Sequence, residues 1–446
     1  MLMRFSISNF MSFGYKTDEK GDTIPTEYHL YAGRSEQHSE RVICYKERKV
    51  LKFSSIYGAN ASGKTNLIRA IDAGRDIVLE TMSGVAYSDK YCKSKSENID
   101  KPTLFEYEFT VEESCFAYGF TVNLQQNIVL SEWLYELKAS EEEVIFERII
   151  ENDQYYFDEQ LFQKKENKEQ FHFFIKDANR IPTTLLLYEI NRRNMEEDDF
   201  GFFKKLFNWF KYQLMVIYPE TKIGTSYELF ENDNHKLVDI LTYLDTGITN
   251  YSMHKMQESA FREYFPDEKI AEKYLKRPKG IFKFGDSLFE LDYDEHKTRI
   301  AKLMFQHGTD ESEYEYGEES DGTQRLIELL GVILNDKKDK VFLIDELDRS
   351  LHPQMTIKFV ETFLKFSREM NSQLIITTHE SNLMDLSLLR RDEIWFAEKG
   401  WDNTTSLYTL EKFKIRYDKE FVDDYFAGRY GAVPVFKDFE YVWGRE

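Results

Sequence analysis

Ser54 to Ile71 reads SSIYGANASGKTNLIRAI: an apolar run, a glycine-rich turn, then Leu67, Ile68 and Ile71 at helical spacing. Within it, Gly58-Ala59-Asn60-Ala61-Ser62-Gly63-Lys64-Thr65 fits the pattern G-x-x-x-x-G-K-[ST]. Upstream, VLKFSSIY from Val50 to Tyr57 predicts a strand, and a helix is expected to open at Asn66. A strand feeding a glycine turn into a helix start is what a phosphate cradle requires. Glycines let backbone N–H groups converge on phosphate oxygens, and the helix N-terminus adds positive partial charge. Gly58, Asn60, Ser62, Gly63, Lys64, Thr65 and Asn66 are therefore the expected nucleotide-binding residues. Lys64 would reach the β- and γ-phosphates of ATP, and the Thr65 hydroxyl would ligate Mg²⁺.

A matching half lies far downstream. Lys340 to Glu346 (KVFLIDE) is a buried-type strand ending in two carboxylates. Asp345 suits the magnesium shell, and Glu346 suits polarising an attacking water as a general base. QLIITT from Gln373 to Thr378 is another buried strand, followed by His379. Ser320 and Gly322, in ESDGTQR, precede a helical pattern of Leu326, Leu329, Leu330 and Ile333, which makes a second anion-binding helix start. One active site does not need two cradles. Two chains packed head to tail do.

The whole chain sets bounds on partners and compartment. It has 446 residues, long enough for more than one core, and its aromatic content of 15% excludes a disordered chain. Lys+Arg 59 against Asp+Glu 80 gives a net charge of −21, which excludes a wholesale nucleic-acid coat but leaves room for a local basic groove. Cys44, Cys92 and Cys115 form no CxxC pair, so a disulfide framework is not expected and a reducing cytoplasm fits. The opening MLMRFSISNFMSFG alternates like a strand rather than a signal peptide. No stretch approaches eighteen uninterrupted apolar residues, so no membrane span is expected. The expected location is cytoplasmic.

The motif order is phosphate loop, S-D-G-T helix start, hhhhDE, D-x-S-L-H-P, then His after a strand. It resembles the ABC-type ATPase heads. The resemblance implies an α/β fold: a P-loop head with a mixed sheet core, an antiparallel β lobe and a helical insertion. It also implies that Ser320 and Gly322 act in trans on the partner's nucleotide, that Asp348 lies in the D-loop, and that His379 is the switch histidine beside the catalytic base Glu346. The signature departs from the transporter L-S-G-G-Q, with Asp321 in place of a glycine and Thr323 where Gln or Glu is usual. The Q-loop glutamine has no assigned position; Gln125, Gln126 and Gln154 are candidates.

The finer resemblance is to the AAA15-like branch, related to overcoming-lysogenization nucleases, RecF and SMC-type repair ATPases. FSISNFMSF, the segment FEYEFTVEESCFAYGFTV, ESDGTQRL and the tail RRDEIWFAEK…FAGRYGAVP carry it. The expected division is 1–155 for the N-terminal lobe of the head, 156–280 for the helical insertion and 281–446 for the C-terminal lobe. Phe200 to Met215 predicts one amphipathic helix within the insertion. Residues 380–446 are too few for a Toprim domain beside the closing strands, so any nuclease is expected to be a separate polypeptide. In length and tail the chain is similar to AriA-type ATPase subunits of PARIS anti-phage systems, with AbiL- and RloA-like ATPases as near relatives. That resemblance implies a homo-oligomer of head-to-tail dimers and a separate Toprim- or RloB-type nuclease effector. It also implies a phage trigger that mimics DNA. Lys269, Lys273, Lys276, Arg277, Lys279 and Lys283 are either a solvated helix end or a site for an acidic partner, such as that trigger, or for nucleic-acid phosphate. The alternative function is a RecF- or SMC-like repair ATPase that binds duplex DNA. The acidic run Glu311 to Glu319 is expected as a solvated loop.

Overall fold

The computed structural model describes residues 1–193, 197–221, 234–276, 280–294, 297–308, 312–334, 338–366, 371–413 and 421–433. Two compact units result. The first comprises Met1–Val216, Lys338–Glu346 and Arg368–Glu446, and the second Ile217–Lys337 and Leu347–Ser367. Their limits fall at 216, 337, 346 and 367.

The first unit holds two sheets. Strands β1 (Leu2–Ser8) and β2 (Thr26–His29) join β6 (Thr103–Val111), β7 (Ser114–Asn123), β8 (Ile128–Leu137), β9 (Glu142–Ile149) and β10 (Gln154–Phe157). They form an antiparallel sheet in the order β10-β9-β8-β7-β6-β1-β2. β3 (Val42–Tyr45) and β4 (Arg48–Leu51) form a separate two-stranded ribbon, bridged at Val50 to Tyr31 in the chain after β2. The stretch expected as one strand from Val50 breaks at Lys52: β4 stays in the ribbon, and β5 (Phe53–Tyr57) enters the second sheet.

That second sheet runs β11 (Leu214–Ile217), β17 (Val341–Ile344), β18 (Gln373–Thr377), β5, β19 (Ile394–Lys399), β20 (Thr405–Thr409). β17, β18, β5 and β19 are parallel, and β20 returns antiparallel. Every residue of β5, β17 and β18 is buried. Covered on both faces, such strands read as continuous apolar runs without alternation. The fold is the expected mixed α/β one, with a parallel core and an antiparallel lobe.

Helix α1 (Lys64–Leu79) buries Leu67, Ile68, Ile71, Gly74, Ile77 and Val78, one stripe at the helical period. Gly74 is a close-approach position, because a Cβ there would lie 2.2 Å from the Tyr107 hydroxyl. That hydroxyl donates to the Ile71 carbonyl at 2.6 Å and pins α1 to β6.

Helices α2 (Lys165–Arg180), α3 (Leu186–Arg192) and α4 (Glu197–Asn208) also belong to the first unit. α2 and α3 are tied to the antiparallel sheet by a buried ion pair. Glu132 on β8 and Arg148 on β9 meet at 2.7 Å with both side chains fully buried. Glu132 also accepts from the Leu186 and Leu187 amides that open α3, and from the Tyr118 hydroxyl. Arg148 donates to Asn179 and to the Thr184 carbonyl. Breaking a buried pair leaves an uncompensated charge. Arg148→Ala is accordingly expected to destabilise the protein by about 3–5 kcal/mol in chemical denaturation, and the double replacement Glu132→Leu with Arg148→Met by less.

The helix expected to run from Phe200 to Met215 ends sooner. α4 stops at Asn208, a π-helical turn covers Trp209–Gln213, and β11 starts at Leu214. The wider turn buries two consecutive aromatics. Trp209 stacks on Phe109 at 4.3 Å between ring centres, and Phe210 meets Tyr107 edge-on at 5.1 Å. A regular helix would splay neighbouring side chains about its axis. Helix α10 (Phe421–Phe426) closes the described part of this unit.

The second unit has α5 (Asn234–Tyr243), then β12 (Ile248–Met256), α6 (Glu258–Arg262) and α7 (Glu268–Leu275). β13 (Gly280–Phe284), β14 (Ser287–Asp294) and β15 (Lys297–His307) complete an antiparallel sheet in the order β12-β15-β14-β13. Phe261, Phe265, Ala271, Phe282, Phe289, Leu291 and Ile300 make its core under α6 and α7. The segment 156–280 is thus not wholly helical, because β11 and β12 lie in it.

The acidic run is anchored instead of solvated. Glu313 and Tyr314 form a short strand β16 on β15, Glu313 accepts from Ser252, and Glu315 pairs with Lys302 at 2.5 Å. Glu311 lies outside the described residues. Helices α8 (Asp321–Ile333) and α9 (Pro353–Phe366) complete the unit. Of the expected basic cluster, Arg277 and Lys279 lie outside the described residues. Lys283 sits over the Tyr316 ring at 4.5 Å, and Lys276 is 3.9 Å from Glu272, leaving Lys269 and Lys273 exposed on a helix that also carries Glu268 and Glu272. Among the described residues, no helix is long and apolar enough to cross a membrane.

Candidate functional site

The loop from Gly58 to Gly63 joins the buried end of β5 to α1. Two of its glycines are required by space. A Cβ on Gly58 would fall 2.4 Å from the Ala397 carbonyl oxygen, and one on Gly63 2.1 Å from the Thr405 hydroxyl. Gly63 also holds φ +107 as the N-cap of α1, a region that side chains resist. As glycine, this N-cap makes no side-chain cap hydrogen bond, and the start of a helix is a position suited to an anion.

Lys64 is buried, yet its ammonium turns back over the loop. Nζ donates to the Gly58 carbonyl at 2.8 Å and the Ala59 carbonyl at 3.3 Å. A strongly hydrated cation is thereby held where phosphate oxygens would arrive. Ser62 is buried and its hydroxyl has no hydrogen-bond partner among the described residues, whereas Asn60 is exposed on the loop.

The structure brings the two distant carboxylate and phosphate-loop motifs together. The Thr65 hydroxyl donates to Asp345 Oδ1 at 3.1 Å, across 280 positions of sequence. The Thr377 hydroxyl, at the end of β18, donates to the same oxygen at 2.6 Å. Asp345 is 2% exposed and bonds no cationic side chain among the described residues. Mg²⁺ is usually held by one or two carboxylates, waters and substrate phosphates rather than by an all-protein cage. A buried carboxylate beside a Thr hydroxyl at the loop fits that pattern.

Glu346 is half-buried next to Asp345, with φ +50. Its amide donates to the Thr377 hydroxyl at 2.8 Å. Left-handed backbone at a non-glycine is held only where surroundings enforce it, and here Thr377 clasps both carboxylate residues. Thr377 was not legible as a site residue; its only signal was its place at the strand end before His379. His379 is exposed two positions beyond β18.

Ser320, Gly322 and Asp348 belong to the second unit. Ser320 is the exposed N-cap of α8, and its hydroxyl accepts from the Thr323 amide at 3.1 Å. Gly322 packs against the chain after β17, where a Cβ would lie 2.9 Å from the Ser350 carbonyl oxygen. Asp348 is half-buried, and its carbonyl accepts from the Leu351 amide at 3.1 Å.

A family model described as "AAA domain, putative AbiEii toxin, Type IV TA system" matches residues 53–385. No curated protein matches the chain. Among solved structures, an SMC head bound to the C-winged helix domain of ScpA is similar at TM-score 0.42 and 16% identity, covering 92% of this chain and 97% of that one. The SMC head domain from Thermotoga maritima is similar at TM-score 0.35 and 13% identity, covering 93% and 99%.

Proposed function

The chain belongs to the family of AAA domains described as putative AbiEii toxin, Type IV TA system, and from that membership we propose that it is an ATP-hydrolysing subunit of a bacterial anti-phage system. In this reading it senses a phage protein, and it holds and then releases a separate Toprim-type nuclease, as PARIS ATPase subunits of the AriA type do. The observation that carries the ATPase part is the meeting of Thr65, Asp345 and Thr377 beside Lys64 and Glu346.

Each residue has a separate task. The α1 amides and Lys64 bind the phosphates, with Lys64 exchanging its loop carbonyls for phosphate oxygens. Thr65 and Asp345 would hold Mg²⁺, which when bound neutralises charge on the β- and γ-phosphates. Thr377 fixes the Asp345 carboxylate and the Glu346 backbone. Glu346 takes the proton of the attacking water. His379, two positions beyond β18, serves as the switch histidine, and Ser320 and Gly322 serve the nucleotide of a second copy, with Asp348 in the D-loop.

The defence part rests on family membership and the net charge of −21, which disfavours a DNA-coating repair ATPase. Its test is biochemical. The purified chain should show no nucleolytic activity with Mg²⁺ or Mn²⁺, and should co-purify with a nuclease encoded beside it. Reversing Lys273, Lys276 and Arg277 to Glu tests recognition of an acidic trigger; lost triggering with basal hydrolysis intact is the expected result. Tight, salt-sensitive binding of duplex DNA by the chain alone would instead favour the repair reading.

A further inference from the structure

The opening FSISNFMSF includes a residue that reaches the phosphate loop. After β1 the chain makes a tight turn, with Phe10 and Phe13 pairing backbone to backbone. Two of its non-glycine residues, Asn9 (φ +57) and Met11 (φ +50), are left-handed. Asn9 is fully buried, and its side chain is satisfied. Nδ2 donates to the Asn98 and Lys101 carbonyls, and Oδ1 accepts from the Cys92 amide. A strained turn so fully determined by its surroundings is built to present something. It presents Ser12.

Ser12 Oγ lies 2.8 Å from Asn66 Nδ2 and 2.7 Å from Thr405 Oγ1. Thr405, 2% exposed, also reaches the Ser62 carbonyl at 2.8 Å, and its amide donates to the Ser12 carbonyl at 2.7 Å. Proton counting orients this chain. A hydroxyl has one proton, and the Ser62 carbonyl can only accept, so Thr405 donates to Ser62. Ser12 then donates to Thr405 and accepts from Asn66. The result is a directed series from Asn66, the third residue of α1, through Ser12 and Thr405, to the loop residue before Gly63. It closes on both sides of the position where the loop becomes the helix. The Gly63 Cα is pressed against the same two hydroxyls, since a Cβ would lie 2.1 Å from Thr405 Oγ1 and 2.9 Å from Ser12 Oγ.

We propose that Ser12 and Thr405 are positioning residues that clamp the phosphate loop in its nucleotide-accepting shape, setting affinity for the nucleotide and not the rate of hydrolysis. This rests on the ATPase reading. Neither hydroxyl is free for phosphate, because each is committed to the series, so neither is catalytic. Their effect is to keep the loop amides convergent before the nucleotide arrives, which removes an ordering cost from binding.

The test uses the full-length chain, with ADP as the binding probe and steady-state ATP hydrolysis as the second readout. Thr405→Val keeps the shape but removes the hydroxyl, stranding the Ser62 carbonyl and the Ser12 donor. It should raise the ADP Kd and the ATP KM together by roughly 10-fold, with kcat within about twofold. Thr405→Ser restores the hydroxyl and should return both to near the wild-type values. If Thr405→Val does not fold by thermal melting, Ser12→Ala is the replacement and should raise both constants by roughly 5-fold. A fall in kcat at unchanged KM, or equal behaviour of Thr405→Val and Thr405→Ser, overturns the clamp. Wild-type protein that binds no ADP overturns the ATPase reading beneath it, whereas wild-type binding with a normal Thr405→Val overturns the clamp alone.

Discussion

Glu346→Gln should lower ATP turnover by roughly 10²-fold or more while nucleotide binding persists, the loss expected when a general base is removed. The amide is nearly isosteric but cannot take a proton from water. The geometry favours a specific loss over a structural one. The Glu346 backbone N–H donates to the Thr377 hydroxyl and so holds the left-handed backbone, a hydrogen bond that the substitution leaves in place. Asp345 keeps both hydroxyl donors, Thr65 and Thr377, so the metal shell is also intact. Phosphate release and equilibrium binding measured on the same preparation separate the two effects. Unchanged turnover would remove Glu346 from the mechanism.

A second large effect is expected from mixing two inactive chains. Lys64→Ala removes the buried ammonium over the loop and should weaken ATP binding by roughly 10–100-fold, the scale of a lost hydrogen bond to a charged group. Ser320→Arg places a bulky cation at the exposed N-cap of α8, where a head-to-tail partner would present its γ-phosphate. Each homo-oligomer then has only damaged sites. In a mixed dimer, the Ser320→Arg chain supplies an intact Lys64 to face the intact Ser320 of the Lys64→Ala chain, while the other site is doubly broken. Hydrolysis in the mixture should therefore exceed that of either variant alone. No rescue at any ratio would mean that each chain works by itself.

Those features of the fold that depend on local chemistry were legible in the sequence. The parallel strands announced themselves because burial on both faces leaves an uninterrupted apolar run, and the loop because backbone convergence demands glycine. Long-range geometry was less visible. Nothing local says that Lys52 ends one strand pairing and starts another, or that Trp209 and Phe210 both need burial and so widen the helix into a π turn. The acidic run looked solvated because charge composition says nothing of partners; Lys302 and Ser252, on neighbouring strands, supply them. In the site, Lys64, Thr65, Asp345 and Glu346 were readable from motif spacing. Ser12, Thr377 and Thr405 were not, since a lone hydroxyl acquires its role only from what the fold sets beside it.

Calorimetric titration of Mg²⁺-ATP into the wild-type chain and into Lys64→Ala tests the account most directly. One nucleotide should bind per wild-type chain, and binding should weaken by roughly 10-fold or more in Lys64→Ala. No binding to the wild type, or equal affinity in the two proteins, would contradict it.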